Sequence, residues 1–353
     1  MAWASVLMQP CAADPLDLTI PSVRADLVSR LAEQSRIEKD AAEDWARSHG
    51  VAVGFEVEGV RFELMYLDER RPIYYRTFNV NAAITTATNR VRNLAPYDLN
   101  GEGLVLGLWD AGVPRMTHQE FQNLPKRITC KDVTQADTGI YVTEEHTTHL
   151  AGTIGAWGKD PNAMGMAPSV KIDARNWNAD LSEMAACAAS YPGEPNKYNV
   201  SNHSYGPVLG WERAQFTTGE LVWVWLPLWL GTGQANVETR FGRYVAEAVK
   251  YDELAFLAPY YQIFVAAGND RSDNPKPGEM ILYSRDGVWY TADWYRDSHP
   301  RGDGVVKGGY DTIHPAGVAK NAISVGAVSD AVRDGARDLA PGGSSFLHFC
   351  ILL

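Results

Sequence analysis

The 353-residue sequence predicts an α/β domain on a doubly wound, mostly parallel sheet with helices on both faces, behind a small α+β unit. Three observations predict it. Short continuous apolar runs recur at Leu104–Asp110, Val170–Ala174, Tyr198–Ser201, Gln262–Ala266 and Ala322–Val328, as in strands buried on both faces. Segments of helical character, Leu181–Ser190 and Val237–Tyr251, lie between them, and strand alternating with helix builds such sheets. Ahead of the first run the pattern differs: one long helical segment, then three strand-like runs.

The leading helix is expected over Ser22–His49. Val23, Leu27 and Leu31 recur at i+4, Ser22 stands as N-cap, and Gly50 suits the left-handed C′ position. Strands follow from Val51, Val60 and Pro72, separated by Glu58-Gly59 and the charged turn Asp68–Arg71. The polar stretch NAAITTATNRVRN (residues 81–93) then acts as a connector. The expected domains are therefore residues 1–95, an N-terminal segment with an accessory or propeptide-like unit, and residues 96–353. One stretch stands apart: Trp211–Trp229 is rich in tryptophan and either lines a groove or closes its own cluster, aromatics mostly serving packing.

Composition narrows the function. A net charge of -11 argues against a nucleic-acid backbone as partner. Leu221–Leu230 is the most apolar run, but it is too short for a membrane span and is broken by Pro227. The N-terminal MAWASVLMQPCAADP has a short apolar run before Ala12-Ala13 but no basic start, so it is a weak export signal. Cys11, Cys130, Cys187 and Cys350 form no C-x-x-C pair, which argues against a thiolate zinc site. Cys130 and Cys187 stand as a disulfide in an exported protein or as two free thiols.

Ligands of doubly wound sheets sit beyond the carboxyl ends of the strands, so those ends carry the candidate chemistry. LVLGLWD delivers Asp110 to such an end, where a carboxylate either orients an imidazole or caps a turn. EEHTTHLAGTIGA places His146 at the first turn of a helix, with His149 three residues on. That pair, with Glu144 or Glu145, is a rival metal reading, but the H-E-x-x-H spacing of zinc peptidases is missing. IFVAAGNDR ends a strand in small residues and presents Asn269, either a turn residue or an amide donor to a developing oxyanion, worth about 3 kcal/mol elsewhere.

Taken in order, WDAG, HTTHLAGT and AAGND resemble the D-[ST]-G, H-G-T-H-V-A-G-T and A-A-G-N motifs of the subtilisin-like serine peptidases. VSNHSYG, GMAPSVKI and VAKNAISVGAV resemble three further segments of that family, so the resemblance spans about residues 100–345. It implies hydrolysis of internal peptide bonds in polypeptide substrates, secretion, a monomer and no cofactor for the chemistry. Calcium is common in the family, yet no ligand set is readable here, acidic loops such as Asp270–Asp273 included. Asp110 would orient His146, His146 would serve as general base and then acid, and Asn269 would bind the oxyanion. Ser204, Tyr205 and Gly206, with Ala266, Ala267 and Gly268, would hold substrate as an added strand. His149 matches the family's supporting second histidine, which favours a structural role.

Departures are unequal. Ala111 and Thr147 replace small family residues by other small ones. The nucleophile motif G-T-S-M-A-x-P does not occur in the 353 residues, and Phe346–Leu353 is apolar and unlike the family. Ser344 and Ser345 lack a following helix to place a hydroxyl beside His146. The expectation is a truncated, inactive peptidase chain, with a peptide-binding pseudopeptidase as the alternative.

Overall fold

A computed structural model of the chain describes residues 17–57, 60–68, 71–77, 88–92, 94–123, 125–132, 143–160, 163–215, 220–229, 237–285, 288–296, 298–303, 312–326, 332–333 and 336–337. The expected export signal, Ser344, Ser345 and the apolar C-terminal tail lie outside these residues.

The N-terminal unit is helix α1 (Pro21–His49) followed by strands β1 (Gly54–Val57), β2 (Val60–Asp68) and β3 (Arg71–Thr77). The helix starts one residue earlier than its sequence suggests. Ile20 is the N-cap and Pro21 opens the helix, so Ser22 is not the cap. Proline suits that position because its ring presets φ and it lacks an N–H that would be unpaired anyway. At the other end Gly50 takes φ 65° and its N–H closes on the Ala46 carbonyl, as expected for a left-handed C-terminal cap.

The larger part contains β4 (Val105–Asp110), β5 (Ile128–Cys130), α2 (Glu145–Gly155), β6 (Lys171–Asn176), α3 (Asp180–Cys187), β7 (Val200–His203), β8 (Tyr205–Pro207), β9 (Trp211–Gln215), β10 (Leu221–Trp229), α4 (Ala246–Leu257), β11 (Gln262–Ala266), β12 (Met280–Arg285), β13 (Val288–Asp293) and β14 (Ile323–Val325). A two-residue pair, β15 (Val332–Arg333) and β16 (Ala336–Arg337), follows. Six strands form one sheet in the order β14-β11-β7-β4-β6-β5, with every pairing parallel. Helix α4 begins at Ala246 and not at Val237. Before it, Gly242 adopts φ 67° and donates to the Ile313 carbonyl, so the preceding residues run as loop.

Side chains of β4 alternate between two cores. Leu106 and Leu108 face α2 in a cluster with Phe121, Leu150, Ile154 and Ile172. Trp109 points the other way, into a cluster with α3, α4 and α1 through Met184, Leu254, Leu27 and Leu31. Period-two burial on both faces is what a doubly wound sheet demands. The chain therefore has the α/β architecture its strand-and-helix alternation predicts.

The tryptophan-rich stretch closes its own cluster. Strands β9 and β10 join β12 and β13 in a four-stranded sheet, ordered β13-β12-β10-β9. Trp211, Trp223, Trp225, Ile281 and Trp294 form its apolar centre. Cys130 and Cys187 are free, half-buried thiols.

Candidate active site

The ends of three neighbouring strands build the site. Strand β4 pairs directly with β7, and β7 with β11, so Asp110, the segment Ser204–Gly206 and the segment Ala266–Asn269 emerge on one edge of the sheet. Parallel hydrogen bonding fixes this: strands running the same way must all release their next residues at the same end.

Asp110 is fully buried. Its Oδ1 accepts the Ala111 N–H at 2.8 Å and contacts His146 Nδ1 at 3.1 Å; the Thr147 hydroxyl donates to it at 3.4 Å. His146 reaches it because the entry of α2 is tied to the loop after β4. The Glu144 N–H donates to the Val113 carbonyl at 3.0 Å, and the Arg115 N–H to Thr148 Oγ1 at 2.8 Å. Asn176 Nδ2 then holds the Ala111 carbonyl at 2.9 Å. The contact of Nδ1 with the carboxylate fixes the orientation of the ring. Partial desolvation, with His146 as neighbour, holds the His149 ring below its ordinary range.

Among the described residues no three His, Cys, Asp or Glu side chains are arranged to hold a metal ion. After Asn269, Asp303 Oδ2 takes the Trp211 N–H at 2.7 Å, and burial, with Asp270 and Asp273 nearby, pushes its carboxyl well up.

The six residues expected to hold substrate end or follow the neighbouring strands β7 and β11. Ser204 and Ala266 line one small gap, and Asn202 Nδ2 donates to Ser204 Oγ at 2.9 Å. Gly206 and Gly268 both approach the buried His314 ring. A Cβ on Gly206 would lie 2.9 Å from that ring, and one on Gly268, at φ 109°, would lie 2.8 Å from Asp270 Oδ2, so both positions favour glycine. Ala267 is pinned by its N–H to the Val325 carbonyl at 2.8 Å and by its carbonyl to the His314 N–H at 3.2 Å. Asn269 follows directly and opens a short 3-10 turn, Asp270–Ser272.

Strand β8 already carries a partner. The N-terminal unit's β3 pairs with it antiparallel, with Thr77 opposite Tyr205, Arg76 opposite Gly206 and Tyr75 opposite Pro207. The Val208 N–H extends the ladder to the Tyr74 carbonyl at 2.5 Å. A second contact lies away from the strand ends. Arg24 of α1 donates to the Ala185 and Ala188 carbonyls at the end of α3 and pairs with Glu194 at 3.0 Å. A cavity of about 550 Å³ is lined by Glu63, Tyr66, Asp180, Arg240 and Glu247 among others.

Sequence reading missed several residues here. Thr147 is wholly buried against Asp110, and its only mark was its place beside His146. His203 stacks on Trp109 with centroids 5.3 Å apart, and His314 fills the space between the two glycines. Neither carries a spacing signal, because each acts through a fold-level contact.

The subtilase family's sequence pattern matches residues 101–351. No curated protein matches. Among solved structures, the Clostridium perfringens CspB protease aligns at 17% identity and TM-score 0.35, covering 55% of this chain and 41% of that one. MycP1 from Mycobacterium smegmatis aligns at 16% identity and TM-score 0.31, covering 68% of this chain and 54% of that one. A MycP1 structure with its N-terminal propeptide removed aligns at 18% and 0.31, covering 68% and 60%. The chain thus spans about half the length of the solved proteins it resembles. The family match runs through the strand ends that carry Asp110, His146, Ser204–Gly206 and Asn269, and the chain belongs to the subtilase family.

Proposed function

We propose that this chain carries the peptide-binding and proton-transfer part of a serine endopeptidase site. The observation that carries the reading is the 3.1 Å contact of His146 Nδ1 with the buried Asp110 carboxylate, beside a strand that accepts an extended partner. In this reading Asp110 holds the imidazole in one tautomer and stabilises the imidazolium, while His146 takes and returns the proton of a serine hydroxyl. Asn269 donates to the oxyanion. Ser204–Gly206 and Ala266–Gly268 bind the substrate backbone as an added strand. The chemistry uses no cofactor, and the protein acts outside the cell on polypeptides.

The N-terminal unit fits as a propeptide-like inhibitor. Pairing of β3 with β8 supports this, because β3 lies where a substrate strand would lie. Displacement of β3 must then precede peptide binding.

A second reading, a peptide-binding pseudopeptidase, is favoured by one observation: the G-T-S-M-A motif is not in the 353 residues. For this chain by itself the proposal is binding without covalent turnover. A fluorophosphonate probe tests it. No labelling of the purified chain is expected, and labelling at Ser344 or Ser345 would overturn the assignment. Polypeptide binding is read in parallel by displacement of β3. Failure of any peptide to compete with β3 would refute the role given to β8.

A further inference from the structure

Strand β8 rests on a buried polar chain that the proton-transfer site does not use. The Tyr205 hydroxyl donates to Asp180 Oδ2 at 2.6 Å and lies 2.9 Å from His203 Nδ1. The other ring nitrogen of His203 lies 2.9 Å from Ser201 Oγ, which accepts from the Tyr261 hydroxyl at 2.6 Å. Asp180, Ser201, His203, Tyr205 and Tyr261 are all buried.

Counting donors gives the chain a direction. Because Tyr205 spends its proton on Asp180, its oxygen must accept from His203, which makes Nδ1 the protonated nitrogen. Nε2 is then the acceptor for Ser201, and Ser201 the acceptor for Tyr261. Every member is satisfied in only this order while Asp180 accepts. Asp180 cannot turn away, since its Oδ1 takes the Leu181 N–H at 2.6 Å. If it stops accepting at Oδ2, the Tyr205 proton turns to His203 Nδ1, in competition with the Tyr251 hydroxyl, and the ring that accepts it switches to the Nε2–H tautomer.

We propose that Asp180 is a positioning residue for the substrate strand: its carboxylate sets the direction of the Tyr261–Ser201–His203–Tyr205 hydrogen-bond chain and thereby anchors β8. This rests on the reading of β8 as the strand that receives peptide. Tyr205 carries the anchor into the strand, and its ring packs edge-on against Trp177 at 5.4 Å. Tyr251 of α4 also bonds to Tyr205. Asp180 faces Lys250 and Glu247 from α4 and Glu183 from its own helix. Lys39, Glu63 and Tyr66 of the N-terminal unit, with Arg240, face it across the cavity. Burial raises the Asp180 carboxyl to about 6, while burial lowers His203 to about 3. Acid therefore reverses the chain without charging the ring.

The test reads the His203 tautomer by nitrogen-15 NMR of the histidine-labelled full chain, with hydrogen exchange at the Tyr205, Gly206 and Val208 amides. At pH 8 the wild type shows the Nδ1–H form. Asp180→Asn keeps the shape, but its oxygen stays on Leu181 and its amide faces Tyr205, so the ring switches to Nε2–H and β8 exchange rises at least tenfold. Asp180→Glu restores the wild-type tautomer. Should Asp180→Asn not fold, the wild type itself switches tautomer as the pH falls through about 6. An Nε2–H ring in the wild type at pH 8, or a switch that leaves β8 exchange unchanged, overturns the proposal. If both readouts respond as expected yet no peptide displaces β3, the functional reading alone fails.

Discussion

Removing the Arg24 guanidinium should loosen the N-terminal unit more than any other single change on α1. Arg24 is the point where α1 enters the larger domain, and the pair it forms with Glu194 leaves side chains only 11% and 10% exposed. It donates to the Leu18, Ala185 and Ala188 carbonyls at 3.2, 3.1 and 2.7 Å, and to Ser190 Oγ at 2.5 Å. The α3 carbonyls belong to the last turn of a helix, which has no N–H of its own to satisfy them. Arg24→Ala therefore leaves buried acceptors unpaired, and breaking a buried pair of this kind costs about 3–5 kcal/mol. Some of that is offset because Glu194 keeps the Ser190 N–H and hydroxyl as donors, so about 3 kcal/mol is the expectation. Arg24→Lys keeps the charge but cannot fork between Ala188 and Glu194, and should recover only part of the loss. Urea unfolding of the full chain, with hydrogen exchange along α1, measures both. A loss under about 1 kcal/mol, or unchanged exchange over residues 21–49, would show that Arg24 is not the anchor.

Glu247 sits under the same unit and accepts from the Tyr66 hydroxyl at 2.9 Å; burial raises its carboxyl to about 7. An acid raised in the folded state binds more protons than the unfolded chain. Stability from this group is therefore full below its ordinary value and is lost as the pH rises toward about 7. Glu247→Gln should flatten the fall in stability between pH 5 and pH 7, and a slope equal to wild type would refute this. Leu150→Ala, in the α2 core, should cost about 2–5 kcal/mol in the same urea assay, with a loss below 1 arguing that α2 does not hold His146 by packing.

Where the sequence read well, the signal was local. Val105–Asp110 shows as a strand because both its faces are buried, and α2 shows because small and apolar residues recur along it beside His146. Asp110, His146 and Asn269 each follow a strand end or open a helix, so motif order along the chain located them. The N-cap of α1 was misplaced by reading Ser22 for its side chain, when Pro21 decides the start through its ring geometry. The start of α4 was misread because the helical reading was carried back through Gly242, whose left-handed backbone breaks the helix.

Pairing between distant segments was not legible. The tryptophan-rich strands needed Met280–Arg285, more than fifty residues on, before β10 found its parallel neighbour. Strand β3 reads as an ordinary edge of a small sheet until β8 is set beside it. The polar chain under β8 gathers Asp180, Ser201, His203, Tyr205 and Tyr261 from three elements and the loop before β11, and each alone looks like a routine core polar residue. By itself the sequence determined the family, the parallel sheet and the residues at its strand ends, because those follow from burial pattern and chain order. Only the tertiary structure decided that β3 lies on β8 and that Asp180 lies beneath it. Hydrogen-bond direction and strand partnership are properties of groups brought together in space, and neither has a period along the chain.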